Sequence, residues 1–169
     1  IRDRGEADQR TQIITTILSH PLDSAAPATK GFEVISLYPD ENGYPSLENL
    51  KAVVSEKTAG IFITNPEDTG VFNPIIREFV DVVHEAGGLC VCDMADYNGL
   101  FGLVRAKELG ADMCHFNLHK AFASPHACMG PGCAAQCVSA ELEKYLPRPR
   151  VRFDGTRSVS YTHLTLPTT

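Results

Sequence analysis

The sequence has no apolar run that approaches the roughly 20 residues needed by a membrane-spanning helix. It also has no N-terminal segment in which positive charge precedes apolar residues, so no secretory signal is visible. Its 21 acidic and 15 basic residues give a formal net charge of −6, which disfavours nucleic acids and anionic membranes as general partners. These absences make the cytoplasm the expected compartment.

The sequence also lacks the paired Cys-x-x-Cys spacing that is typical of structural zinc sites. Six cysteines are present, and three of them lie in apolar, strand-like runs, where a free thiol packs as a small hydrophobe: Cys90, Cys92 and Cys114. We therefore expect reduced thiols. The alternative is a zinc-binding module with four ligands: His126, Cys128, Cys133 and Cys137.

Strand-like and helix-like segments alternate along a chain that is long enough for one domain with a sizeable core. The predicted strands are Gln12–Leu18, Glu33–Leu37, Ala59–Thr64, Leu89–Cys92, Asp112–Leu118 and Ala134–Val138. The predicted helices are Ser46–Ser55, a helix between Asn73 and Gly87-Gly88, and Ser139–Leu146. Strands separated by helices predict right-handed βαβ crossovers, and therefore an α/β fold with a mostly parallel sheet.

Two of these helices have clear start signals and an apolar stripe. Ser46 is the predicted N-cap of the first, and Asn73 is the predicted N-cap of the second, with Pro74 at its first helical position. Apolar residues at helical spacing form the predicted buried face of the second helix: Ile76, Phe79, Val80 and Val83.

Polar residues follow three of the predicted strands: Asn65, Asp93 and the pair His119-Lys120. The carboxyl ends of parallel strands share one edge of a sheet, and ligands bind there. A lysine at that edge can hold pyridoxal 5′-phosphate (PLP) as a Schiff base, and an aspartate can keep the pyridine nitrogen of the cofactor protonated. The convergence of these residues therefore predicts a PLP site.

Four segments of the sequence resemble segments that occur in the same order in a known family. They are HPLDSAAPATKG (His20–Gly31), TNPEDTGVF (Thr64–Phe72), DMADYNGLFG (Asp93–Gly102) and NLHKAFASPHACMGPG (Asn117–Gly132). With HEAGG and LPRPRV, they make residues 4–156 resemble the glycine cleavage system P-protein family, the PLP-dependent glycine dehydrogenases (decarboxylating). The resemblance is greatest to the C-terminal half, which is a separate subunit 2 in many bacteria and archaea.

The resemblance implies the large domain of a fold-type I PLP-dependent transferase, with the aspartate-aminotransferase-like architecture. It implies that Lys120 is the Schiff-base lysine and Asp93 the pyridinium partner, and that both are catalytic. The other implied cofactor-binding residues are His20, stacked on the ring, Asn65 or Thr64, near the phenolic oxygen, and His119 and Asn117, beside the lysine. Each residue has a structural alternative: a solvent-exposed lysine, a capping aspartate, or a turn histidine or asparagine.

The implied reaction is decarboxylation of glycine, followed by transfer of the aminomethyl group to the lipoyl arm of the H-protein. The implied partners are glycine cleavage subunit 1 and the lipoylated H-protein, in a hetero-oligomer. Two alternatives stay open: another fold-type I enzyme, such as an aminotransferase, a desulfurase or an amino-acid decarboxylase, and a catalytically inactive fragment.

The chain departs from the family pattern at three places in the implied site. Asp23 and Asp96 replace asparagines, and Ala127-Cys128-Met129 replaces glycines that allow close backbone approach. The family's main phosphate-binding segment and its small C-terminal domain lie outside the matched region. We therefore expect an incomplete large domain over residues 1–156, followed by an unstructured, non-native tail over residues 157–169.

Overall fold

The computed structural model describes residues 1–122, 128–147 and 150–161. The chain divides into two compact units, Ile1–Cys137 and Val138–Thr169. No helix in the described part of the chain combines the length and the apolar character that crossing a membrane would require.

Six strands form the main sheet: β1 (Gln12–Thr16), β2 (Glu33–Leu37), β3 (Thr58–Thr64), β4 (Leu89–Asp93), β5 (Met113–Asn117) and β6 (Ala134–Val138). Their spatial order is β2-β1-β3-β4-β5-β6. The pairs β1–β2, β1–β3, β3–β4 and β4–β5 are parallel. The predicted α/β fold with a mostly parallel sheet is confirmed.

Four α-helices lie between these strands in the described part of the chain: α1 (Pro21–Ala28), α2 (Leu47–Val53), α3 (Ile76–Glu85) and α4 (Leu118–Ala121). The predicted N-cap of α2 is confirmed, because the hydroxyl of Ser46 accepts a hydrogen bond from the Asn49 N–H at 3.1 Å. The predicted buried face of α3 is also confirmed, since its four apolar residues are all buried.

Three helix predictions need correction. Helix α1 was not predicted, although His20 caps it with its ring nitrogen and proline occupies its first position. Helix α3 begins at Ile76, because the side chain of Asn73 instead accepts the Ile75 N–H at 3.0 Å and holds a turn. The segment predicted as the helix Ser139–Leu146 contains the 3-10 helix Ala140–Tyr145, which has no buried face to stabilise a longer α-helix.

The main core lies between the sheet and α2 and α3. Its buried residues are Ile14, Leu37, Leu50, Ile61, Ile63, Ile76, Phe79, Val80, Val83 and Cys90. Strands β3 and β4 approach so closely beside this core that a Cβ atom at Gly60 would overlap the carbonyl oxygen of Leu89. A second cluster contains Cys92, Met94, Leu100 and Cys114.

The three cysteines of the strands are buried and free, as predicted. Burial raises the pKa of Cys90 to about 12 and that of Cys114 to about 11, so both thiols are protonated and inert at neutral pH.

The second unit contains an antiparallel hairpin of β7 (Arg150–Phe153) and β8 (Ser158–Tyr161). Asp154 closes its turn by accepting the Thr156 and Arg157 N–H groups at 2.9 Å each, and these backbone hydrogen bonds lower the pKa of Asp154. Residues 158–161 are therefore a strand rather than part of an unstructured tail. Residues 162–169 lie outside the described part, and the predicted domain boundary stays a prediction.

Candidate functional site at the carboxyl edge of the sheet

Three of the predicted site residues lie at the ends of neighbouring parallel strands: Thr64 at the end of β3, Asp93 at the end of β4 and Asn117 at the end of β5. Thr64 and Asp93 are direct partners in the β3–β4 register. The parallel arrangement places these ends on one edge of the sheet, where α/β proteins bind ligands.

Asp93 is buried, with 3% of its surface exposed. Its Oδ1 accepts the Ala95 N–H at 2.8 Å and lies 3.2 Å from Nε2 of His115 on β5. The Ala95 N–H fixes the orientation of this buried carboxyl group. The arrangement therefore suits an aspartate that has to accept a hydrogen bond from a cationic ring nitrogen.

Lys120 lies on α4, the short helix that follows β5 directly. Its Nζ is 3.4 Å from Oδ1 of Asp96, and its carbonyl oxygen accepts a hydrogen bond from Nδ2 of Asn98 at 3.0 Å. Both partners belong to the segment that follows Asp93. The lysine is therefore attached to the same segment as the predicted pyridinium partner.

His20 and Thr64 are joined by a hydrogen-bonded chain that continues to Asp23. The His20 N–H donates to Oγ1 of Thr64 at 3.3 Å, and that hydroxyl donates to Oδ2 of Asp23 at 2.8 Å. The ring of His20 is exposed, and its Nδ1 accepts the Leu22 N–H at 3.1 Å, which places the ring proton on Nε2. The stacking role predicted for His20 stays a prediction.

Asp23 is 1% exposed, and its Oδ2 accepts the Thr64 hydroxyl, whose residue is the register partner of Asp93. Burial raises its pKa to about 7, and the negative charges of Asp93 and Asp68 act in the same direction. The hydroxyl of Thr64 opposes them by donating to the carboxyl group. Desolvation is the dominant cause, so Asp23 retains its proton over most of the range below neutral pH.

Asn65 is buried and fully engaged with the loop that leads to α3. Its Oδ1 accepts the Asn73 N–H at 2.9 Å, and its Nδ2 donates to the Asn73 carbonyl oxygen at 3.2 Å. These bonds fix the path of the chain between β3 and α3. The predicted contact of Asn65 with a cofactor stays a prediction, and the structure assigns its amide to loop architecture.

His119, next to Lys120 in the sequence, contacts the backbone of Cys133, which directly precedes β6. Its Nδ1 lies 2.9 Å from the carbonyl oxygen and 3.0 Å from the nitrogen of Cys133, and the ring tautomer decides which contact is the hydrogen bond. Asn117 precedes α4 and makes no side-chain capping bond. The roles predicted for both residues stay predictions.

The zinc alternative finds no support in the described residues. Cys128, Cys133 and Cys137 are exposed and belong to no disulfide among the described residues, and His126 lies outside the described part. Within the ranges that the structure describes, no three His, Cys, Asp or Glu side chains are arranged to hold a metal ion.

The chain is similar to proteins of a known family. The aminotransferase class-V profile matches residues 4–149. The chain belongs to the class-V aminotransferase family. A protein of Pyrococcus abyssi, named probable glycine dehydrogenase (decarboxylating) subunit 2, is 41% identical over 98% of this chain. The chain spans 33% of that protein, about a third of its length.

Solved structures agree with the fold of a class-V aminotransferase. The cysteine desulfurase CsdA of Escherichia coli superimposes with a TM-score of 0.65 at 17% identity, over 89% of this chain and 39% of its own. A PLP-dependent aminotransferase of Streptococcus suis gives a TM-score of 0.55 at 21% identity, over 68% and 32% of the two chains. These similarities confirm the predicted fold-type I architecture.

The class-V site fits PLP at two of its chemical groups. Lys120 supplies a primary amine for the aldehyde, and Asp93 supplies a buried acceptor for the ring nitrogen. Asp23 and Glu67 contact Thr64 and Thr16 at the ends of β3 and β1, and ionisation of either carboxyl group would add negative charge that repels a phosphate nearby. The fit therefore concerns the aldehyde and the ring.

Sequence reasoning missed two residues near the site, the half-buried His115 and the buried Glu67. His115 lies inside β5 two residues before its end, and the parallel register with Asp93 is the signal that could have identified it. Glu67 is 4% exposed, accepts the Thr16 hydroxyl at 2.7 Å and leaves Oε2 without a partner among the described atoms. Burial raises the pKa of Glu67. A buried acid after Asn65-Pro66 gives no sequence signal, because turn segments are usually solvated.

Proposed function

We propose that this chain supplies the lysine and aspartate of a PLP site in a glycine dehydrogenase (decarboxylating), as part of its subunit 2. The single observation that carries the proposal is the attachment of Lys120 to the segment after Asp93, on adjacent strand ends. The 41% identity to a protein with that name supports the choice of substrate and reaction.

The residues of the chain have distinct tasks in this proposal. Lys120 binds the cofactor aldehyde through Nζ, and Asp93 accepts a hydrogen bond from the protonated ring nitrogen. His20 covers one face of the ring. Nε2 of His115 contacts Oδ1 of Asp93 and holds that carboxyl group in place. When bound, PLP supplies a ring that takes up the electron pair released as the bond between glycine carbon and carboxylate breaks.

The proposed partners are inferred from the names of the similar proteins alone. Their name describes a subunit, which implies a multi-subunit system. We propose glycine cleavage subunit 1 as the subunit partner and the lipoylated H-protein as acceptor of the aminomethyl group. The cytoplasm stays the predicted compartment.

The test is covalent capture of PLP by the chain. The purified protein is incubated with PLP, reduced with borohydride, digested and mapped by mass spectrometry. We expect the modification on Lys120, its loss in Lys120→Ala, and its retention in the control Lys107→Ala, which removes an exposed lysine. Modification spread evenly over surface lysines would contradict the proposal.

The glycine reaction is tested separately in the full-length protein that contains this chain, together with its partner subunit. We expect glycine-dependent exchange of labelled bicarbonate, abolished by Lys120→Ala. Capture at Lys120 without exchange, and with activity toward a different amino acid, would preserve the PLP site and overturn the choice of substrate.

A further inference from the structure

Two buried hydroxyl groups and a buried carboxyl group link the end of β1 to the loop that follows β3. The Thr16 hydroxyl donates a hydrogen bond to Oε1 of Glu67 at 2.7 Å, and the hydroxyl oxygens of Thr16 and Ser19 lie 2.9 Å apart. Oγ of Ser19 in turn accepts the Thr64 N–H at 3.2 Å. All four residues have at most 9% of their surface exposed, so they depend on one another for their hydrogen bonds.

The number of available protons fixes the direction of this chain of hydrogen bonds. Each hydroxyl group has one proton to donate. Thr16 uses its proton on Glu67, so Ser19 is the donor to Thr16 and keeps a lone pair for the Thr64 N–H. In the opposite direction the proton of Ser19 would point at the Thr64 nitrogen, which is itself a donor.

Glu67 is the acceptor at which the chain of hydrogen bonds ends. Its Oε1 accepts the Thr16 hydroxyl when the acid is ionised, and also when the acid is neutral with its proton on Oε2, so the direction does not depend on the charge of Glu67. Oε2 has no partner among the described atoms. The bond to Thr16 is therefore the one through which the carboxyl group orders the two hydroxyl groups.

The other end of the chain reaches His20. The Thr64 N–H donates to the hydroxyl of Ser19, and the N–H of the next residue, His20, donates to Oγ1 of Thr64 at 3.3 Å. Two hydrogen bonds thus hold the turn between β1 and α1 against the end of β3. Since His20 is the N-cap of α1, this turn determines where its ring leaves the backbone.

We propose that Glu67 is a positioning residue for His20: through the hydroxyl groups of Thr16 and Ser19 it holds the β1–α1 turn against Thr64, and so places the imidazole ring over the cofactor. The part that concerns the cofactor rests on the proposed function. Glu67 acts through other residues and touches no reacting atom.

The first arm of the test needs no cofactor. The NMR signals of the His20 and Thr64 amide protons report their hydrogen bonds. We expect both signals to move upfield in Glu67→Met, which has no acceptor, and to return to the wild-type position in Glu67→Gln, which has one. The Phe79 amide of α3 should not move, and the control Glu56→Met, which changes an exposed glutamate, should move none of the three.

Signals of His20 and Thr64 that stay in place in Glu67→Met overturn the inference, as do signals that move equally far in Glu67→Gln. Should Glu67→Met not fold, Thr16→Val interrupts the chain of hydrogen bonds with a side chain of similar shape. The same upfield movement is then expected, and its absence overturns the inference.

The second arm measures PLP affinity by absorbance titration. We expect Glu67→Met to bind about fivefold more weakly, the effect of one hydrogen bond, and Glu67→Gln and Glu56→Met to bind like the wild type. In the His20→Ala background the effect of Glu67→Met should disappear, because no ring is left to position. A loss of the same size in both backgrounds would reveal a general structural effect and overturn the inference.

Failure of the proposed function and failure of this role are distinguishable. If PLP is not captured at Lys120 while the amide signals behave as expected, the proposed function is wrong, and the role toward a cofactor is overturned with it. If Lys120 is modified but the signals of His20 and Thr64 do not depend on Glu67, only the role of Glu67 is overturned.

Discussion

Asp93 and His115 are direct partners in the β4–β5 register, and Oδ1 of the aspartate lies 3.2 Å from Nε2 of the histidine. A second pair of the same type occurs at the amino ends of these strands, where Nε2 of His84 lies 2.8 Å from Oδ2 of Asp112. Among the described residues, two histidine–aspartate pairs thus lie at opposite ends of β4 and β5. Only the first belongs to the proposed site.

Replacement of His115 by alanine should weaken PLP binding about tenfold, because a hydrogen bond to a charged group contributes about 1.5 kcal/mol and here fixes Asp93. The measurement is absorbance titration with PLP at constant pH. The matched control is His84→Ala, for which we expect unchanged affinity. Equal losses in both variants would mean that the effect comes from stability and not from the site.

Replacement of Asp96 by asparagine should speed the covalent capture of PLP by Lys120 two- to fivefold. The side chain of Asp96 is 77% exposed, and exposed ion pairs contribute only about 0–1 kcal/mol, so the effect is modest. Its physical reason is that Asp96 competes with the aldehyde for Nζ of Lys120. Stopped-flow absorbance gives the rate, with Asp8→Asn as control. A slower capture would show that Asp96 helps to place the lysine.

Replacement of Asp23 by asparagine should flatten the dependence of stability on pH. Burial raises the pKa of this acid in the folded state from 3.8 to about 7, so folding favours its protonated form. Its contribution to stability is complete below pH 3.8 and is lost as the pH rises toward 7. At about 1.4 kcal/mol per pKa unit, the loss between pH 5 and pH 8 is about 3 kcal/mol.

Urea unfolding of both proteins at pH 5 and pH 8 measures this loss. The difference between wild type and variant is the decisive quantity, because Glu67 also has a raised pKa and contributes a slope of the same sign to both. Asp8→Asn should retain the wild-type slope. A parallel pair of stability curves for wild type and Asp23→Asn would exclude a buried proton on Asp23.

Replacement of Gly60 by alanine should destabilise the protein by about 1–3 kcal/mol, the usual cost of overpacking. The added methyl group meets the backbone of Leu89, which has no side-chain rotation to offer. Gly99→Ala is the control, because a Cβ there has nothing within 4 Å. Thermal unfolding measures both. If Gly60→Ala is as stable as the wild type, β3 and β4 can move apart without a loss of folding free energy.

Local and periodic signals predicted most of the fold. The apolar stripe of α3 and the hydroxyl cap of α2 are fixed by residues a few positions apart, so their sequence patterns were sufficient. Helix α1 was missed because its apolar residues form no helical stripe and Pro27 lies within it. The position of the candidate site was also predictable, because the carboxyl ends of parallel strands always lie along the same edge of the sheet.

The finer geometry of the site required the tertiary structure. Asn65 reads equally well as a turn residue or a ligand contact, and only its two bonds to Asn73 assign it to the loop. In the sequence, Asp23 looks like an unfavourable replacement of an asparagine amide by a carboxylate. Its buried hydrogen bond with the Thr64 hydroxyl joins residues 41 positions apart, which no local pattern encodes.

The segments that carry the proposed lysine and aspartate are also linked by four aromatic rings. Ring centroids lie 4.8 Å apart for Tyr97 and Phe101, 5.7 Å for Tyr97 and Phe116, 5.2 Å for Phe101 and Phe122, and 5.8 Å for Phe116 and Phe122. Each ring contacts two of the others. Two of the pairs, Tyr97–Phe116 and Phe101–Phe122, join the segment after Asp93 to the segment that contains Lys120, so a shift of one segment along the other would separate both pairs. Near-ultraviolet circular dichroism of these rings would therefore report the integrity of the site in the absence of any ligand.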